Sequence, residues 1–163
     1  MPSQFEQALE LLAERMAESG ELESGHVRWA IYCRAMDCPE EWPNLLTVVQ
    51  LEPDPAISSS VVIQMLDRVP LEQREDYVKA LPPGKSRELA ATRAREIRIL
   101  NLLSEGRSDH LPAGDLRVDS WTNWLQLRAA SSVNDFHVLD SLSRVGRTRR
   151  VRSTATTRLR STR

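Results

Sequence analysis

Apolar residues recur along this chain at intervals of three and four, the spacing that lines up one face of an α-helix. Phe5, Leu9, Leu12 and Met16 step by 4, 3 and 4 and predict a helix over 3–19. The polar stretch 19–25, with Gly20 and Gly25, reads as a connection. Val27, Ala30 and Ile31 then predict a second helix over 26–36. Trp42, Leu45, Leu46 and Val49 form the next stripe, and its start reads as Asp37-Cys38-Pro39-Glu40. Asp37 is suited to cap, proline is tolerated early, and an acid three residues on closes a capping box. This helix stops before Pro53. Asp54-Pro55 reads as the N-cap and first residue of another, whose face carries Ile57, Val61 and Met65 with Val62 and Leu66 beside them.

The second half continues in the same manner. Pro70 opens a short helix with Leu71, Val78 and Leu81 inward, and Pro82-Pro83-Gly84 ends it. Ser86 is the expected cap of a helix that turns Ala90, Ala94, Ile97, Leu100 and Leu103 inward, with Gly106 as terminator. The polar run 106–115 is expected to be the least structured part. A helix from about Asp119 brings Trp121, Trp124, Leu125 and Leu127 together, and Ser131-Ser132 breaks it. Phe136, Leu139, Leu142 and Val145 mark another helix ending at Gly146. Thr148 then caps a last one with Val151, Ala155 and Leu159 inward. No β-branched run alternates between hairpin turns. The expectation is an all-α protein of about nine helices, in one domain over 3–160.

Two distant stretches match at a constant offset of 94 residues. Leu45, Val48 and Leu51 match Leu139, Leu142 and Val145; Asp54 matches Thr148; Ile57, Val61 and Met65 match Val151, Ala155 and Leu159. In each, an apolar helix, a tight turn, a capping residue and a second helix follow in order. Neither helix of such a pair hides its apolar face alone, so pairs stack on neighbours. The pattern resembles the HEAT-like, armadillo-type α-helical repeats. The resemblance is best over Leu45 to Pro55 with Val61-Val62, and over Val138 to Thr148 with Val151-Arg152, Ala155 and Leu159. It covers about 70 of the 163 residues. The usual turn Asp is present as Asp54 but replaced by Thr148, and the usual Arg is present as Arg152 but replaced by Ser58. The resemblance implies a short right-handed stack of antiparallel helix pairs (a HEAT-like α-solenoid), a scaffold used to bind proteins and sometimes nucleic acid. Fold alone does not fix function.

Charge sharpens this picture. The formal net charge is only −1, with 22 basic and 23 acidic residues. All 23 carboxylates precede Arg144, whereas 144–163 hold eight arginines and none; the two parts carry −9 and +8. An acidic body with a basic C-terminal helix or tail follows. The arginine bias over lysine has a bland source in base composition, but composition does not segregate charge. On the last helix Arg149, Arg150 and Arg160 point furthest from the apolar stripe, and Arg152 and Arg158 flank it where their stems cover apolar surface. With Arg147 they form the candidate partner-binding set, joined by Trp121 and Trp124 as a candidate hot spot. The competing role for the two tryptophans is core packing against Phe136 and Leu139.

No catalytic constellation stands out: there is no Gly-rich phosphate loop, Gly-x-Ser-x-Gly elbow or His-Glu-x-x-His. Ser58-Ser59-Ser60 reads as small hydroxyls on a helix. His26, Cys33 and Cys38 have neither the spacing nor the count of a structural zinc site. No cofactor or metal is expected. A DNA-reading helix-turn-helix about Gly146 is disfavoured, because it would bury Arg147 and Arg152 at packing positions. The N-terminus lacks a basic start and an apolar core, and no run is long and apolar enough to span a membrane. A cytoplasmic protein with reduced Cys33 and Cys38 is expected. The function expected is a non-catalytic protein–protein interaction or adaptor module. The alternatives are phosphate binding to nucleic acid through the same arginines, and an enzyme of unknown class.

Overall fold

The computed structural model describes residues 2–18 and 20–161. Among the described residues the chain is all-helical, with nine α-helices, four short 3-10 turns and no strand. Contacts gather into two compact units, Met1–Ala94 and Arg95–Arg163.

In the first unit, α1 (Gln4–Arg15) opens on Ser3. The Ser3 hydroxyl accepts from the Glu6 amide at 3.2 Å, and the Glu6 carboxylate accepts from the Ser3 amide at 2.6 Å. This reciprocal pair satisfies amides that helical bonding leaves free. The helix ends earlier than its apolar periodicity implies; the expected end at Ser19 lies outside the described residues. α2 (Gly25–Met36) follows, and Asp37 closes it instead of starting the next helix. The cause is Pro39, which disfavours helical backbone at the preceding residue; Cys38 is extended, at φ −115° and ψ 92°. A 3-10 turn at Pro39–Glu41 leads into α3 (Trp42–Leu51). α4 (Pro55–Met65) starts as its sequence dictates: Asp54 accepts from the Ala56 and Ile57 amides, and Pro55 takes the first position. α2 packs on α3 and α4, and α1 and α5 (Leu71–Ala80) pack on α3. Leu9, Leu12, Ile31, Leu45, Val48, Val61, Val62 and Met65 are buried there. In α5 the inward stripe is Arg74, Tyr77 and Leu81, whereas Leu71 is 58% exposed at the first helical position. Periodicity favoured Leu71 because it scores Arg74 as polar. Tyr77 donates its hydroxyl to the Trp42 carbonyl at 3.0 Å, which lets a large ring bury.

α6 (Lys85–Ser104) ends at Gly106, whose φ of +70° suits a residue without a Cβ. In the second unit the polar run after Gly106 lies in the longest described stretch without α-helix, as expected, yet it is tied down. It forms 3-10 turns at Ser108–His110, Ala113–Leu116 and Val118–Ser120. Asp115 is buried in an ion pair with Arg95, and its carbonyl accepts the Trp121 indole N–H at 2.8 Å. α7 (Asn123–Ser132) starts later than expected, capped by Thr122, so Trp121 precedes it. α8 (Phe136–Val145) and α9 (Arg149–Ser161) pack on each other and on α7. Leu125, Ala129, Leu139, Leu142, Val151 and Ala155 form their core. Phe136 and Val145 are exposed (49% and 54%), because the ends of the ten-residue α8 project past that core.

Helix boundaries follow the 94-residue offset. α3 and α8 begin and end at equivalent positions, and α4 and α9 begin at equivalent positions after Asp54 and Thr148. The offset extends to α2 and α7, where Ile31, Ala35 and Met36 are buried like Leu125, Ala129 and Ala130.

Candidate functional site

The α8–α9 corner concentrates cations for local reasons. Gly146 ends α8 at φ −53°, a conformation open to any residue. Space explains the glycine: a Cβ there would lie 2.5 Å from the Leu142 carbonyl oxygen and 2.7 Å from Val151 Cγ1. The chain then turns, and the Arg147 amide donates to the buried Gln126 side chain at 2.8 Å. Gln126 in turn donates to the Val118 carbonyl at 2.8 Å. Thr148 accepts from the Val151 amide at 3.2 Å and starts α9. Every polar group of the turn named here has a partner, so the corner is held firmly.

The side chains divide as their positions along α9 require. Val151 and Ala155 are fully buried and Leu159 packs against the same core. Arg152 is half-buried and folds back to donate to the Gly146 carbonyl at 2.5 Å, and Arg158 bonds Asn134. Arg147, Arg149, Arg150 and Arg160 are exposed. Among the described residues their side chains make no ion pair or hydrogen bond. Thus four of the six candidate arginines present free guanidinium groups, and two are committed to the fold. Trp121 is only 4% exposed, so it is a core residue and has no face to offer a partner. Trp124 is half-buried, with the Arg128 guanidinium over its ring at 5.7 Å. Phe136, expected to pack with the tryptophans, is 49% exposed and meets His137 edge-on at 5.8 Å.

The first unit holds a feature that its sequence does not reveal. Arg28, on α2, places Nε and Nη2 each 3.2 Å from one oxygen of Glu52. Tyr32 donates to the same carboxylate at 2.5 Å, and the Asp54 amide donates at 3.0 Å. Nη1 of Arg28 donates to the Glu23 and Leu22 carbonyls at 2.6 and 3.3 Å. All three side chains are buried. Burial, then the adjoining Glu52 carboxylate, pushes the Tyr32 hydroxyl well above its usual range. Above this network opens a cleft of about 920 Å³ with apolar walls from Phe5, Leu9, Leu51 and Pro53. Exposed Glu6, Glu10, Glu21 and Glu23 line it as well. Neither His26 nor His137 is among its described lining residues.

Cys33 and Cys38 are free thiols, and burial raises the Cys33 thiol above its ordinary range. Among the described residues no three His, Cys, Asp or Glu side chains gather as a metal site. No described helix is long and apolar enough to cross a membrane. No protein-family model matches the chain, and comparison with curated proteins and with solved structures finds no match.

Proposed function

We propose that this protein is a non-catalytic interaction module that engages an acidic protein surface through Arg147, Arg149, Arg150 and Arg160. One observation carries this reading: four exposed guanidinium groups, without an ion pair among the described residues, stand on a corner and helix that Gly146, Gln126 and Thr148 fix in place. A guanidinium pairs with a carboxylate in bidentate fashion, and a fixed backbone lowers the ordering cost of doing so. The helix pairs α3–α4 and α8–α9 are read as HEAT-like helix pairs, which their common starting positions support. The two free thiols support a reducing compartment such as the cytoplasm.

The competing reading is nucleic acid, bound by the same four arginines. Fluorescence anisotropy separates the two. Labelled poly-glutamate and a labelled DNA duplex are each titrated with the full chain over a range of salt. Binding of the acidic peptide, lost in the Arg147→Glu/Arg149→Glu/Arg150→Glu variant, supports the proposal. Tighter binding to the duplex, falling steeply with the logarithm of salt concentration, overturns it in favour of nucleic acid.

A further inference from the structure

The two units differ in charge as well as in chain position. Residues 1–94 hold 16 carboxylates and nine basic side chains, and residues 95–163 hold seven carboxylates and 13 basic side chains. The first unit therefore carries −7 and the second +6. Each charge has a local focus. In the first unit it is the cleft, where Glu6, Glu10, Glu21 and Glu23 flank apolar walls and, among the described residues, enter no ion pair. Arg28 does not neutralise them, because its guanidinium is taken up by Glu52 and two carbonyls. Leu51 on the cleft wall remains 37% exposed. In the second unit the focus is the α8–α9 corner. There the exposed Val145 is followed, beyond Gly146, by Arg147, Arg149 and Arg150, also exposed.

These two surfaces match in both respects that matter for docking. The cleft offers an apolar wall ringed by carboxylates; the corner offers an apolar tip ringed by guanidinium groups. Arginine stems also cover apolar surface while their heads stay polar. We infer that the α8–α9 corner of one copy of this chain docks into the Phe5–Leu51 cleft of a second copy. The inference names a partner for the basic corner and so rests on the reading proposed above. Donor and acceptor surfaces are different patches, which makes the contact heterologous, and repetition gives rings or open chains of molecules. Opposite charges across the contact speed encounter and make association sensitive to salt.

Sedimentation velocity on the full chain tests this. At low salt the weight-average sedimentation coefficient is expected to rise with protein concentration, and at about 0.5 M salt the rise is expected to vanish. Two variants, checked for native helicity by circular dichroism, each remove one surface. Glu10→Gln/Glu21→Gln removes charge from the cleft, and Arg147→Gln/Arg149→Gln removes charge from the corner. Each alone is expected to stay monomeric at low salt. Mixed together, they are expected to form a 1:1 dimer and nothing larger, because one intact cleft meets one intact corner. A wild-type chain that stays monomeric at every concentration overturns the inference, as does association that survives in either variant or a mixture that fails to dimerise. Poly-glutamate binding distinguishes the levels of failure: if it persists without self-association, only the self-docking is refuted, and if both are absent the acidic-partner reading falls too.

Discussion

Removal of Glu52 is the most informative single perturbation of the fold. Its carboxylate receives four hydrogen bonds: two from Arg28, one from Tyr32 and one from the Asp54 amide. In Glu52→Ala, Arg28 keeps two backbone carbonyl partners and the Phe5 ring face but no anion, and remains a buried cation. Breaking a buried ion pair from one side costs about 3–5 kcal/mol, because the remaining charge loses its compensation. The stranded Tyr32 hydroxyl costs about 1–3 kcal/mol by itself, a loss that overlaps with the first and does not simply add. A destabilisation of about 4 kcal/mol lowers a urea midpoint by about 2 M at a typical dependence on denaturant. The loss is smaller when the whole network is replaced. Arg28→Met/Tyr32→Phe/Glu52→Leu leaves no buried charge or hydroxyl stranded, and only the part-buried Asp54 amide and Leu22 and Glu23 carbonyls lose partners, so its midpoint is expected to fall much less than that of Glu52→Ala. Urea titrations followed by circular dichroism on the single and triple variants measure the contrast. If the triple variant is as unstable as Glu52→Ala, or if Glu52→Ala is as stable as wild type, the electrostatic reasoning is wrong.

Other positions make separate predictions. Gly146→Ala is expected to destabilise by about 1–2 kcal/mol, because the new Cβ overlaps the Leu142 carbonyl and Val151 and overpacking outweighs the smaller entropy gain. Thermal denaturation reads this as a fall in midpoint, and Gly114→Ala, with no atom within 4 Å of its Cβ, is the neutral control. Arg74→Met is expected to hold or raise stability, by up to about 2 kcal/mol, since burial already disfavours the Arg74 charge and its buried Nε has no hydrogen-bond partner among the described residues. The Asn44 amide, aided by Arg15, holds the Glu41 carboxyl below its ordinary range against the opposing effect of burial. A depressed folded-state pKa adds stability above the carboxylate's unfolded value, and that stability is lost as pH falls through the folded value. The wild type's advantage over Asn44→Ala is therefore expected to be largest at neutral pH. It is expected to shrink in acid, as urea midpoints at the two conditions would show.

Local chemistry made much of the fold legible. Asp54-Pro55 and Thr148 start helices because capping and proline geometry depend on neighbours in sequence, and Gly106 ends one for the same reason. The stripes Val61/Met65 and Val151/Ala155 point inward because burial follows the helical period wherever a helix is covered along its length. Phe136 and Val145 escape that rule because coverage stops before the helix does, and coverage is a property of the neighbours. Asp37 carries the capping pattern yet starts no helix, because Pro39 restricts Cys38 to extended backbone.

By itself the sequence determined the all-helical class, most helix starts, the two matching helix pairs and the outward placement of Arg149, Arg150 and Arg160 on α9. All of these are set by residues within a few positions of each other. Only the tertiary structure decided that Arg28, Tyr32 and Glu52 share one network, that Trp121 is a core residue hydrogen-bonded to Asp115, and that the acidic cleft exists. Those features join side chains distant along the chain, or lying across a turn, whose meeting depends on how whole helices pack. Spacing along a sequence carries no record of that.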